Sequence, residues 1–103
     1  MPKLIVLYPT PTDQDTFERR YQAEHGPMVH EKIPGLKKFF SARVVGTPAG
    51  PAQYQRVAEL YFDSMESLKA AMSSPGGQTT VAHAVEISTG GPPVVLIAGD
   101  DQS

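Results

Sequence analysis

Gln55-Arg56-Val57-Ala58-Glu59-Leu60-Tyr61-Phe62 is the stretch that decides the fold class. It is rich in strand-forming residues, and side chains along a strand alternate between the two faces of a sheet. Val57, Glu59 and Tyr61 therefore share one face, and Ala58, Leu60 and Phe62 share the other. Neither set reads as a solvent face, where polar residues would alternate cleanly with apolar ones. The run is a sheet strand that needs cover on both sides.

The flanking segments say what the cover is. Downstream, Asp63-Ser64-Met65-Glu66 reads as a capped helix start, with Leu68, Ala71 and Met72 as the buried stripe of the helix that follows. Ser73-Ser74-Pro75-Gly76-Gly77 interrupts it, and Gln78–Ile87 resumes as a shorter helix. Thr89-Gly90-Gly91-Pro92-Pro93 turns the chain into a last apolar strand, Val94–Gly99, and the tail at 99–103 is expected to fray. Upstream, Thr47-Pro48-Ala49-Gly50-Pro51-Ala52 is a loop, preceded by a strand over Leu36–Thr47 that carries Phe39, Phe40, Val44 and Val45. The apolar run Lys3–Pro9 is a further strand, stopped by Pro9-Thr10-Pro11.

Between these two strands lies Phe17-Glu18-Arg19-Arg20-Tyr21-Gln22-Ala23-Glu24-His25-Gly26-Pro27-Met28. Phe17, Tyr21, His25 and Met28 fall at helical spacing on one face, and Arg19, Arg20, Gln22 and Glu24 point to water. Thr12 or Asp13 caps this helix, Asp15 suits its positive first turn, and Gly26-Pro27 should break or bend it. A second helical segment is expected from Pro27 to Lys32, ended by Pro34-Gly35. The element order is β-α-β-β-α-β in a single domain spanning 1–103: an α+β, ferredoxin-like, four-stranded antiparallel sheet with both helical layers on one face. The other face then stays apolar and uncovered, which calls for a homodimer packed sheet against sheet.

Composition narrows the function. At 103 residues and 40% hydrophobic, the chain supports one core. A formal charge of −2 and the lack of a basic stripe argue against nucleic acid as a partner. The N-terminal apolar run is too short for a signal peptide or a membrane span, so a cytoplasmic location without membrane attachment is expected. Cysteine is absent, so disulfides and thiolate ligands are ruled out.

Lys3-Leu4-Ile5-Val6-Leu7-Tyr8, Phe17-x-x-x-Tyr21-x-x-x-His25-x-Pro27-Met28, Pro34-Gly35-Leu36 and Ala58-Glu59-Leu60-Tyr61-Phe62-Asp63-Ser64 resemble, in this order and spacing, the EthD family. The family is named for ethyl tert-butyl ether degradation, and the similarity spans nearly the whole chain. It implies a ferredoxin-like fold that dimerises into an α+β barrel. It also implies a setting in the degradation of ethers and other xenobiotic compounds, and members often carry a reductase or oxidoreductase label. The residues do not support a nicotinamide reductase, because no glycine fingerprint leads from a strand into a helix. Where the family often has an acidic residue before a Pro-Asn-Phe-like stretch, this chain reads His83-Ala84-Val85-Glu86-Ile87.

The candidate chemistry centres on His25, which the resemblance also places between helix and sheet. An imidazole can move a proton in either direction near neutral pH without a cofactor. Tyr21 could orient it or donate a proton to a substrate oxygen. Glu59, on a strand buried on both faces, is the third catalytic candidate, since burial raises a carboxyl pKa. The competing readings are a buried, hydrogen-bonded structural histidine and a Glu59–Arg43 pair across the hairpin. Phe17, Met28, Arg43, Tyr61 and His83 complete the candidate pocket. No metal is expected, because neither His-x-His nor His-Glu-x-x-His spacing occurs. No cofactor is expected either; related barrels bind haem through a helix histidine, and only His83 is comparable. The sequence leaves open a cofactor-free enzyme acting on a small hydrophobic oxygenated compound by isomerase-, cyclase- or lyase-like proton transfer, or a non-catalytic accessory protein that binds such a compound or a partner.

Overall fold

A computed structural model describes residues 1–100. The elements are β1 (Lys3–Pro9), α1 (Gln14–Arg20), a π-helical turn (Tyr21–His25), α2 (Gly26–Lys32), β2 (Lys38–Arg43), β3 (Tyr54–Tyr61), α3 (Met65–Ser73), α4 (Pro75–Ile87) and β4 (Val94–Ala98). The strands form one antiparallel sheet in the order β2-β3-β1-β4. This is the ferredoxin-like α+β fold expected from the sequence.

The alternation along β1 sorts the two faces. Leu4, Val6 and Tyr8 are buried beneath the helices, with Arg56, Ala58 and Leu60 opposite them on β3. Phe17, Tyr21, Val29 and Ile33 from the first helical layer and Leu68, Ala71, Ala84 and Ile87 from the second close over this face and form the core with it. Ile5, Leu7, Val57, Phe40 and Leu96 lie on the other face, which no helix among the described residues covers. Phe40 there is 56% exposed and Leu96 49%.

Boundaries differ from the sequence reading where local hydrogen bonds decide them. β2 is shorter than Leu36–Thr47 because Thr47 and Gly50 exchange backbone hydrogen bonds of 2.7 and 3.1 Å, and this tight turn takes the chain off the sheet. α4 begins at Pro75 rather than Gln78. The Ser74 hydroxyl caps it by accepting from the Gly77 N–H at 3.0 Å, and a proline in the first turn gives up no hydrogen bond. Ser64 caps α3 by accepting from the Ser67 N–H at 3.1 Å. Asp100, in the tail expected to fray, pairs with the N-terminal amino group at 2.5 Å; residues 101–103 of that tail lie outside the described residues.

Two substitutions probe the packing. Leu68 is fully buried, so Leu68→Ala should lower unfolding free energy by about 2–5 kcal/mol in chemical denaturation. A Cβ at Gly76 would lie 2.0 Å from the Lys32 carbonyl oxygen at the end of α2. Gly76→Ala must therefore separate α2 from α4, at a cost of about 1–3 kcal/mol in the same assay despite alanine's better helix propensity.

Candidate functional site

The site begins with the helix that carries His25. Asp13 caps α1 by accepting from the Thr16 N–H at 3.0 Å. The backbone does not break at Gly26-Pro27 as the sequence suggests. The Gly26 N–H instead reaches the Tyr21 carbonyl, an i→i+5 bond, and the helix runs on into α2 with proline in its first turn. The π-helical turn also changes the buried stripe. Residues four apart drift by about 40° at each step around an α-helix. One extra residue in the turn offsets that drift, so Phe17, Tyr21, His25 and Val29 stay in line. Met28, expected in the pocket, is only half-buried for this reason, and Val29 takes its place.

His25 is 4% exposed, with both ring nitrogens engaged. Nε2 meets the Tyr8 hydroxyl at 3.2 Å, and Nδ1 meets Nδ1 of His83 at 2.9 Å. The two imidazoles lie nearly coplanar, with centroids 5.1 Å apart and planes 12° from parallel. His83 Nε2 lies 2.9 Å from a Glu24 oxygen, and Arg20 bonds both Glu24 and Glu86. A continuous polar chain thus runs from Tyr8, 1% exposed, to carboxylates at the surface. Burial, with the nearby His83 charge, lowers the His25 pKa to about 4. Hydrogen bonds from Arg20 and then His83 hold Glu24 down at about 2. Burial pushes Tyr8 far above the ordinary phenol range.

A second chain ends at Tyr21, whose ring packs against Tyr8 and His25. The Ser41 hydroxyl donates to Tyr21 Oη at 2.8 Å and accepts from Arg56 at 2.9 Å. Arg56 is paired with Glu18 at 2.5 Å and lies 4.7 Å from the Tyr21 ring centroid. Burial pushes the Glu18 carboxyl up, but hydrogen bonds from Arg56 and Gln55 outweigh it and hold the pKa below the usual range. Both chains end at a cleft between sheet and helices of about 50 Å³. Its walls are apolar, including Val6, Ala58, Leu60 and Ala84, with Tyr8, Tyr21 and His25 at its polar end. Val81 and Val95, 42% and 48% exposed, also line it and mark its open side.

His25, Tyr21 and His83 therefore come together, and the rest of the expected set does not. Glu59 lies on the uncovered face of the sheet, where it accepts from Lys3 at 2.7 Å and from the Tyr61 hydroxyl at 3.2 Å. Its partner is Lys3, not Arg43, and that hydrogen bond lowers its pKa rather than letting burial raise it. Tyr61 goes with it to that face. Arg43, at the end of β2, lines a separate hollow with Tyr54 and Gln55. Phe17 packs behind the site against Tyr8 and Tyr21, with ring centroids 5.3 and 5.8 Å away. The residue that sequence reasoning missed is Tyr8: its place on the Leu4–Val6 face was legible, but its reach to His25 was not. The Glu18–Arg56 pair was missed for the same reason. Among the described residues, no group of three or more His, Cys, Asp or Glu side chains could hold a metal ion. His83, the position compared with haem ligands, spends both ring nitrogens on His25 and Glu24.

The depressed His25 pKa sets a pH dependence. Between about 4 and 6.5 the unfolded chain binds a proton that the folded His25 refuses, so stability rises with pH across that window. The midpoint of denaturant unfolding should fall as pH drops from 6.5 toward 4, with a slope of at most about 1.4 kcal/mol per unit from this group. His25→Gln should flatten that slope.

The comparisons agree with this architecture. The EthD domain model matches residues 9–86. An EthD-family protein from Bacillus halodurans C-125 is 33% identical in structure-based comparison, with a TM-score of 0.90 over 98% of this chain and 99% of its own. A dimeric ferredoxin-like protein from Jannaschia is 17% identical, with a TM-score of 0.69 over 96% and 97% of the two chains. SnoaB from Streptomyces nogalater, a cofactor-independent oxygenase, is 14% identical, with a TM-score of 0.68 over 99% and 94%. The last two likenesses show a shared fold. With the family model covering most of the chain and the Bacillus protein matching it end to end, this protein belongs to the EthD family.

Proposed function

We propose that this protein binds a small hydrophobic compound by an oxygen atom and moves a proton on it through His25, without a cofactor, as a step in degradation or secondary metabolism. The observation that carries this reading is an apolar cleft whose polar end consists of Tyr8, Tyr21 and His25, with His25 connected to surface carboxylates. Such a cleft selects for a neutral, largely apolar ligand with one oxygen to satisfy, and the connected histidine can exchange a proton with it. Arg56, the cation behind Tyr21, is committed to Glu18 and Ser41 and is not available to a ligand carboxylate or phosphate. Sharing its fold with a cofactor-independent oxygenase is in keeping with this reading. The working assembly is a homodimer, since the apolar side chains of Phe40 and Leu96 lie exposed on the uncovered sheet face.

A second, non-catalytic reading rests on one observation. Both His25 nitrogens are satisfied within the protein, and the cleft's 50 Å³ is well below the roughly 150 Å³ that accommodates benzene in an apolar cavity. In that case the protein is an accessory that holds a ligand, or docks a partner, without acting on it.

Acetophenone separates the two, because its methyl protons exchange slowly with water. In deuterated buffer, acid–base function predicts protein-dependent deuterium uptake that His25→Gln reduces by about 10²–10⁴-fold. Amide shifts confined to the cleft, with no uptake, would favour the accessory reading; neither response would contradict ligand binding. For the assembly, sedimentation should give a dimer, and Leu96→Glu should convert it to monomer or precipitate it.

A further inference from the structure

The chain of hydrogen bonds from Tyr8 to Glu24 has a property that no single residue in it reveals. Glu24 can only accept, so a neutral His83 presents its proton on Nε2 and leaves Nδ1 as an acceptor. His25 must then donate from Nδ1, which leaves its Nε2 to accept from the Tyr8 hydroxyl. All donors point outward, and the lone pairs of Tyr8 Oη are left for the cleft. If His83 carries a second proton, on Nδ1, the bond to Glu24 keeps its direction and the two inner bonds reverse: His25 accepts at Nδ1, donates from Nε2 to Tyr8, and the Tyr8 O–H is free to donate into the cleft. The same heavy-atom positions serve both states.

The geometry points to Tyr8, His25 and His83 as a proton wire, in which Tyr8 meets the ligand, His25 swaps tautomer, and the charge comes to rest on His83 beside Glu24. Tyr8 is then the catalytic residue, and His83 and Glu24 are positioning residues that act through His25; for the ligand this rests on the reading under Proposed function. The step balances as follows. Tyr8 Oη takes a proton from the ligand as its own passes to His25 Nε2, and the His25 Nδ1 proton passes to His83 Nδ1. The ligand is left as an anion and His83 as an imidazolium hydrogen-bonded to Glu24; no electrons leave the ligand and no other bond breaks.

This arrangement resolves a conflict at the site. A base whose burial opposes its charging is a poor proton store, and His25 is such a base. In the wire it gains one proton and loses another, so it remains neutral throughout. The charge forms outside the apolar cleft, next to a carboxylate that stays ionised. The ligand class follows: a compound with a weakly acidic proton on or beside oxygen conjugation, such as a phenol or an enolisable ketone, because imidazole is only a moderate base. The groups that face the wire are Tyr21 and Glu24 from the π-helical turn, Arg20 from α1, Glu86 from α4 and Arg56 from β3 behind Tyr21. Arg20 ties Glu24 and Glu86 together, leaving Glu24 as the charge in contact with His83.

Nitrogen NMR of ¹⁵N-histidine-labelled, ligand-free protein reads the swap directly. As pH falls and His83 gains its second proton, His25 should pass from the Nδ1–H to the Nε2–H tautomer with the same midpoint. In Glu24→Gln the two transitions should still coincide. In His83→Gln the His25 swap should vanish while the backbone amide spectrum keeps its native dispersion. A His25 that holds one tautomer throughout the His83 titration, becomes doubly protonated before it, or moves independently of it in Glu24→Gln overturns the wire. Since no ligand is present, this result is independent of acetophenone exchange, and either can fail alone.

Discussion

Phe17, Tyr21, His25 and Val29 can share one face of a helix only because the turn from Tyr21 to His25 accommodates one residue more than an α-helical turn. Without that residue the stripe would drift steadily around the axis, and His25 could not lie over Tyr8 while Phe17 also packs against it. The same turn lets Pro27 enter a continuous helix, since the Gly26 N–H reaches back five residues to Tyr21. The packing of this helical layer and the polar chain both depend on this one local geometry. It also sets Glu24, on the outer side of the same turn, within reach of His83.

The interior is divided by polarity. Most of the cleft is lined by apolar side chains, and Tyr8, Tyr21 and His25, where the two hydrogen-bonded chains end, also line it. One chain is neutral inside and charged outside, from Tyr8 through the histidines to Glu24. The other carries a buried ion pair, Glu18–Arg56, in which each charge is matched by the other and by hydrogen bonds from neighbours. No buried side-chain polar atom among the described residues lacks a partner. That matters because an unpaired polar group here would cost more than the bond it replaced contributes. The two sheet faces divide the same way: the helix-covered face holds the site, and the uncovered face holds Glu59 with Lys3 and Tyr61.

Much of this was legible in the sequence, and what was not has identifiable causes. Alternation in Gln55–Phe62 and the spacing of Phe17, Tyr21 and His25 suffice for the fold and for the inward turn of the histidine, because both are local periodicities. Met28 was misplaced because an i→i+5 turn leaves no signature in residue type. Glu59 was expected near His25 because its strand is apolar on both sides, and alternation alone cannot say which side meets the helices. Lys3 displaced Arg43 as its partner because Arg43 stands opposite Arg56 on the other face of the sheet, whereas Lys3 lies on the face of Glu59. Tyr8 and His83 became partners of His25 through contacts 17 and 58 residues apart in the chain, which no sequence period encodes.

The most direct test is a crystal structure with acetophenone soaked or co-crystallised at the cleft. The expected result is its carbonyl oxygen within hydrogen-bonding distance of Tyr8 Oη, its ring between Val6, Ala84 and Val95, and the Tyr8–His25–His83–Glu24 chain intact. Acetophenone ordered only on the surface, with the cleft closed around His25, would contradict a ligand site there and leave the histidine as part of the packing.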